Sequence, residues 1–272
     1  MRAAVVGHIE WVTFLQPERL PGPGEILRAQ ASWEEPAGGG GVAAVELARL
    51  TGACTLYTAL GNDEAGRLVR EVLERQGVEV RAAVRAAPQR RATTLIGPGG
   101  DRSIIVHGPP IEPAGDDPLG FADLAGVDAV YVCKGDPAVV RLARRARVMV
   151  ATARILPVLR EAGVVLDALV HSATDAAERY APGDLDPPPR LVASTEGAAG
   201  GRYRRAAGQQ GRWPAAALPG PLRDTYGAGD CFAAGLAHAL AAGLPPDRAL
   251  GFAAARGALA LCRSGSLGGP AV

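Results

Sequence analysis

A chain of 272 residues, 48% of them hydrophobic, is long enough for one large α/β domain or a domain with a small appendage. Lys+Arg 29 against Asp+Glu 28 leaves a formal net charge of +1, which argues against a nucleic-acid footprint and against an acidic solvating tail. No apolar run approaches the roughly 18 residues of a membrane span, and Cys54, Cys133, Cys231 and Cys262 are too far apart for a zinc site or a disulfide framework. Buried thiols in a reducing cytoplasm are the expectation, with no membrane and no nucleic acid among the partners.

In chain order, residues 3–7 form a short apolar run ending in glycine, the pattern of a strand buried on both faces and too short for a secretory leader. Prolines and glycines punctuate residues 17–36. Within them 26–33 has the pattern of a partly exposed strand, which suits a lid better than a doubly wound core. Gly38-Gly39-Gly40-Gly41 then opens a helix predicted over about 42–50 and stopped by Gly52. Four glycines permit close approach of backbone to a ligand, or serve as a hinge. Residues 54–60 are the next strand, and 64–76 an amphipathic helix in which Leu68, Val72 and Leu73 share a face.

From 78 to 107 the pattern is one of strands, with 93–97 and 103–107 flanking Pro98-Gly99-Gly100-Asp101 as a hairpin. Apolar runs at 128–133, 147–151, 164–170 and 191–195 alternate with helical stretches, which argues a parallel sheet with crossover helices and ligands beyond the carboxyl ends of its strands. Lys134, the only lysine, follows one such strand; a solvated side chain and a phosphate contact are both open to it. Residues 230–242 and 247–262 are alanine-rich helices, apolar around much of their circumference.

Asp224-Thr225-Tyr226-Gly227-Ala228-Gly229-Asp230 runs straight into the first of these helices. Small residues leave backbone N–H groups uncovered where a helix begins, so free donors and the positive end of the helix dipole point at one spot, which attracts anions. A carboxylate beside a bound phosphate is a cost unless it takes a proton from an attacking hydroxyl. The plainer reading makes Asp230 an N-cap of a glycine-rich turn.

Taken together, the early glycine-rich loop, the lid-like hairpin, Thr195-Glu196-Gly197-Ala198-Ala199-Gly200 after a late strand and the final Asp224 to Asp230 signature resemble the ribokinase-like, PfkB-type family of sugar and nucleoside kinases. The resemblance spans nearly the whole chain. It implies a three-layer α/β/α domain over 1–272 with a mainly parallel central sheet, and a small β lid from about 12–36 and 80–107. It also implies ATP as donor, Mg²⁺, and transfer to a hydroxyl of a small metabolite. Carried over residue by residue, Asp230 is the catalytic base, with the backbone of Gly227, Ala228 and Gly229 as the anion hole. Thr195, Gly197 and Gly200 form the turn near the nucleotide. Asp224 and Thr225 hold the loop or a nearby monovalent cation, and a homodimer through the lid is the partner expectation.

The departures from the family pattern fall elsewhere. The family's Asn-x-x-Glu, which organises Mg²⁺ and phosphate, is replaced by Ser172 and Asp175, leaving Asp175 for metal contact, direct or through water. At the acceptor end, the usual aspartate and asparagine are missing. Glu10, the backbone of Gly38, Gly39, Gly40 and Gly41, and Arg102 on the lid hairpin are the groups expected to face the acceptor, which is then not an ordinary pentose or hexose. A relative that binds nucleotide or metabolite without turnover is the alternative, and the retention of Asp230 speaks against it. A dinucleotide oxidoreductase fits poorly, since the late turn has no Gly-x-Gly-x-x-Gly.

Overall fold

The computed structural model describes residues 1–269. β1 (Ala3–Val6) is buried at every position. The chain leaves it for a lid made by β2 (Glu10–Pro17) and β3 (Ala29–Ala37), and returns through α1 (Gly38–Thr51) to β4 (Cys54–Gly61), α2 (Glu64–Arg75) and β5 (Val78–Arg85). A hairpin of β6 (Arg91–Ile96) and β7 (Arg102–His107) completes the lid. Then β8 (Ala129–Val132), α3 (Pro137–Ala143), β9 (Val148–Thr152), α4 (Leu156–Ala162), β10 (Ala168–Ser172) and β11 (Leu191–Thr195) alternate. A second hairpin, β12 (Gly201–Arg205) and β13 (Gln210–Trp213), precedes α5 (Ala228–Ala241) and α6 (Pro246–Leu261).

The main sheet has nine strands in the order β13-β12-β11-β10-β9-β8-β1-β4-β5. It is parallel from β11 through to β5; β12 runs antiparallel to β11, and β13, antiparallel to β12, returns to the common direction. Alternation along the strands divides the core. Ala3, Val5, Tyr131, Val150 and Ala193 face α1, α2, α5 and α6, while Ala4, Val6, Val130, Val132 and Met149 face α3 and α4. This is the expected three-layer architecture. Strand order reverses at β1, whose chain neighbours depart to β4 on one side and to β8 on the other, so the crevice beyond the carboxyl ends of β1 and β8 is the place where such sheets bind ligands.

The lid is a mixed four-stranded sheet in the order β3-β2-β6-β7, with β2 and β6 parallel. Phe14 stacks on Trp33 with ring centroids 5.1 Å apart and meets Tyr226 edge-on at 5.0 Å, so the lid's inner face rests on the loop before α5. Three expectations are corrected here. The strand expected at 26–33 begins at Ala29 and continues to Ala37, because Pro21, Gly22, Pro23 and Gly24 break pairing ahead of it. Residues 80–85, assigned to the lid, belong to β5, paired with β4 from Cys54↔Val78 to Gly61↔Arg85; an edge strand is half exposed and so carries the mixed pattern of a lid strand. The helix expected from Val42 begins at Gly38, which makes the four glycines its first turn.

Candidate active site

α5 begins at the cleft above the β1 and β8 ends. Gly227, its N-cap, has φ 70°, and a Cβ there would stand 2.7 Å from Val42 Cγ1, so the turn into the helix requires glycine. Among the described residues no side chain caps the helix and none accepts from the first-turn N–H groups of Ala228 and Gly229. A Cβ at Gly229 would meet nothing within 4 Å, so open space lies above those donors. Asp224 is fully buried and secures the loop from below: Oδ1 accepts from Tyr226 N at 2.7 Å and Oδ2 from Gly265 N at 2.6 Å. Burial raises its carboxyl, and those two backbone donors oppose the rise. With both oxygens engaged by N–H groups, Asp224 acts as the loop's anchor. Thr225 N donates to Gly100 O at 3.0 Å, which fastens the loop to the lid hairpin.

Asp230, in the first turn of α5, lies among protein groups with part of its surface open to the cleft. Its Oδ1 accepts a hydrogen bond from the Tyr131 hydroxyl at 3.1 Å. Gly39 approaches the same oxygen so closely that a Cβ there would stand 2.8 Å from it. Burial pushes the Asp230 carboxyl up to about 6, against the Tyr131 hydrogen bond, which lowers it; Glu178 adds to the rise, and Arg102 and Arg154 oppose it. A carboxylate poised there is ionised at neutral pH yet basic enough to accept a proton.

The glycine run packs α1 closely against its neighbours. Gly40 N donates to His8 O at 3.1 Å, and a Cβ at Gly40 would stand 2.6 Å from that oxygen. Gly38 N donates to the Tyr226 hydroxyl at 3.1 Å, and Gly41 lies against Ile9. The first turn of α1 is thereby pressed onto the end of β1, and Gly39 is the member of the run that reaches Asp230.

Further along the sheet, Ser172 and Thr195 are register partners at the carboxyl ends of β10 and β11. Gly197 has φ 58° with open space beyond it, whereas Gly200 is packed against the backbone at Trp213 and Pro214 and is a structural position. Asp175 caps a short turn through Ala177 N at 2.9 Å and pairs with Arg154 at 2.5 Å; those two bonds hold its carboxyl below the usual range. Glu178 was missed by the sequence reading. Its Oε1 accepts from Arg154 at 2.8 Å and its Oε2 from Ser172 N at 2.8 Å, so it lies beside Ser172 and shares Arg154 with Asp175. The available signal was a carboxylate three residues beyond Asp175. Among the described residues no group of three or more His, Cys, Asp or Glu converges as a metal site. The two carboxylates at this lip suit Mg²⁺ held through water and phosphate oxygens, the ion's habit beside nucleotides.

Past the carboxyl ends of β1, β8 and β9, Lys134 and Arg154 lie near enough to His8 for their charges to act on it. Burial drives His8 down to about 3, helped by Arg90, Lys134 and Arg154, which keeps the ring neutral. Glu10 is buried, with Oε1 3.1 Å from Arg90 Nε; burial raises its carboxyl, and Arg90 opposes the rise. Lys134 pairs with Glu112 at 3.1 Å. Arg102 departs from its expected place. Its Nη1 donates to the Thr225 carbonyl and, at 2.7 Å, to the Thr225 hydroxyl, while the guanidinium lies 5.7 Å from the Tyr226 ring centroid, so it fastens the lid to the anion-hole loop.

A doubly wound sheet with a β lid, a glycine turn leading to an uncapped helix and a carboxylate in that helix's first turn define a ribokinase-like phosphotransferase. Comparison with known proteins agrees. The model of the pfkB family carbohydrate kinases matches residues 2–183 and 166–270, and the chain belongs to that family. It is 28% identical over 293 residues to an ATP-dependent ribose-1-phosphate kinase of Halopiger xanaduensis, covering 99% of this chain and 95% of that protein. The fold matches the adenosine kinase of Sinorhizobium meliloti with a TM-score of 0.78 at 18% identity, over 100% of this chain and 96% of that one. It also matches the Arabidopsis thaliana ribokinase complexed with ribose and ATP, with a TM-score of 0.71 at 21% identity, over 96% and 92%.

Proposed function

We propose that the chain transfers the γ-phosphoryl group of ATP to a hydroxyl of a sugar that already carries an anionic group, with Asp230 as general base. The observation that carries the reaction is the pairing, within one helical turn, of free N–H donors under open space with a carboxylate raised to about 6. In such a transfer the protein mostly positions the reactants and stabilises charge on the moving group. The N–H groups at Ala228 and Gly229 receive that charge, and Asp230 takes the acceptor's proton. Thr195 and Gly197 border the nucleotide, and Asp175 and Glu178 are the residues that would hold Mg²⁺. When bound, the ion neutralises charge on the nucleotide phosphates.

The acceptor class follows from the carboxyl edge of the sheet. Arg154 meets Asp175 and Glu178 through Nη2, and among the described residues no hydrogen bond engages its Nε or Nη1, so both remain for a ligand anion, while Lys134 has donors beyond the one that meets Glu112. The relative that acts on ribose 1-phosphate supports the same class. The test is ADP formation with ribose, fructose, adenosine, ribose 1-phosphate and ribose 5-phosphate. A sugar phosphate is expected to exceed every neutral acceptor in kcat/KM by about tenfold or more, the weight of one charge-assisted bond. A neutral sugar or nucleoside turning over better would overturn the acceptor class, and nucleotide binding without ADP from any acceptor would overturn the kinase reading.

A cytoplasmic protein is the matching localisation, and among the described residues no helix is long and apolar enough to cross a membrane. A homodimer through the lid is supported by β7, an edge strand that leaves Ile104, Ile105 and Val106 exposed. Sedimentation at twice the chain mass is expected, and the mass of a single chain would refute the dimer.

A further inference from the structure

Tyr131 lies on the face of β8 covered by α1 and α5, and is only 2% exposed. A buried phenol needs a hydrogen-bond partner, and the one it has is the Asp230 carboxylate, 3.1 Å away. The bond is selective between the two oxygens. Oδ1 receives the Tyr131 hydroxyl and is closed over by Gly39, while among the described residues no hydrogen bond engages Oδ2. A terminal carboxylate torsion is broad and roughly two-fold, so an untethered aspartate presents either oxygen over a range of angles.

We propose that Tyr131 is the positioning residue of the phosphoryl transfer: it ties Oδ1 of Asp230 to the sheet and so fixes Oδ2 as the oxygen offered to the acceptor hydroxyl. This rests on the reading of Asp230 as the general base. Burial holds the Tyr131 hydroxyl protonated throughout the working pH range, so it acts only as a donor. A donor to the carboxylate favours the ionised form and offsets part of the burial around it. The other titratable or charged groups acting on Asp230 are Cys133 after β8, Arg154 after β9, Glu178 after β10, Arg102 from the lid, Tyr226 from the loop and Cys231 beside it in α5. Tyr131 alone among these makes a hydrogen bond to it.

Tyr131→Phe removes one oxygen and keeps the ring, which leaves the packing of β8 in place. Two measurements test the proposal: the pH dependence of ADP formation, and the titration of the Asp230 carboxyl carbon by NMR in the ligand-free protein. The expected result is a kcat lowered about 5- to 20-fold with KM for ATP within about twofold, and both the acid limb and the carboxyl midpoint moved up by about half to one pH unit. A role in packing alone would lower the melting temperature and leave the midpoint where it was. An unchanged midpoint with a superimposable pH profile overturns the proposal, as does a change confined to KM. If the parent protein forms no ADP with any acceptor, the kinase reading fails. An unmoved carboxyl midpoint in Tyr131→Phe would then separately show that Tyr131 does not govern Asp230.

Discussion

Asp230 is held in a place that disfavours its charge, and the consequence reaches stability as well as chemistry. Its carboxyl stands at about 6 in the folded chain against an ordinary value of 3.8. A raised folded-state value means that the contribution to stability is present below about pH 4 and is lost as pH rises through about 6, because the unfolded chain releases the proton first. The difference is at most about 3 kcal/mol at pH 8, taking 1.36 kcal/mol per unit. Asp230→Asn keeps an acceptor for the Tyr131 hydroxyl and removes the charge. It is therefore expected to raise the melting temperature at pH 8 by several degrees and to leave it nearly unchanged at pH 4, a trade of stability for activity common at catalytic residues. Thermal melts of the two proteins at both pH values check this, and an equal shift at both would contradict it. The residue was legible in the sequence because its turn is a local signal. Tyr131 and Glu178 were not, since a tyrosine in an apolar strand and a glutamate past a strand end look like core and surface until the fold brings them to the cleft.

At the scale of elements, the close approach of α1 to β1 is what brings a backbone against Asp230. The four glycines make that approach possible, with Gly40 over the His8 carbonyl and Gly39 over Asp230 Oδ1. Gly39→Ala would add a methyl 2.8 Å from that oxygen and 3.4 Å from Cys133 Sγ, both within the helix-strand contact. The expected result is a folded protein by circular dichroism whose kcat is lowered at least about tenfold, since misplacing a reacting group by a fraction of an ångström is costly. Activity within twofold of the parent would mean that the contact has slack. The glycine run was visible in the sequence, but not its purpose: glycine permits a ligand, a hinge and close packing alike. The same ambiguity explains β5. Its half-exposed pattern fits a lid strand or a sheet edge, and only the full register with β4 separates them.

For the molecule as a whole, the order of elements carried the family and the three-layer fold, because crossover units separated by glycine turns leave few topologies open. A kept donor end and a rewritten acceptor end along the carboxyl edge of the sheet are expectations that rest on the motifs alone. The order of β1, β8 and β9 brings Lys134 and Arg154 near His8 although they are distant in the chain, which the sequence alone did not show. The lid is bound to the loop before α5 through Arg102 and Thr225. The account depends most on Asp230 as the base, and the direct measurement is steady-state ADP formation by the parent and by Asp230→Asn with the best acceptor of the panel. A fall in kcat of about 10² to 10⁴ with nucleotide affinity retained is the predicted result, the usual range for loss of a general base. Turnover by the variant within a few-fold of the parent would contradict it.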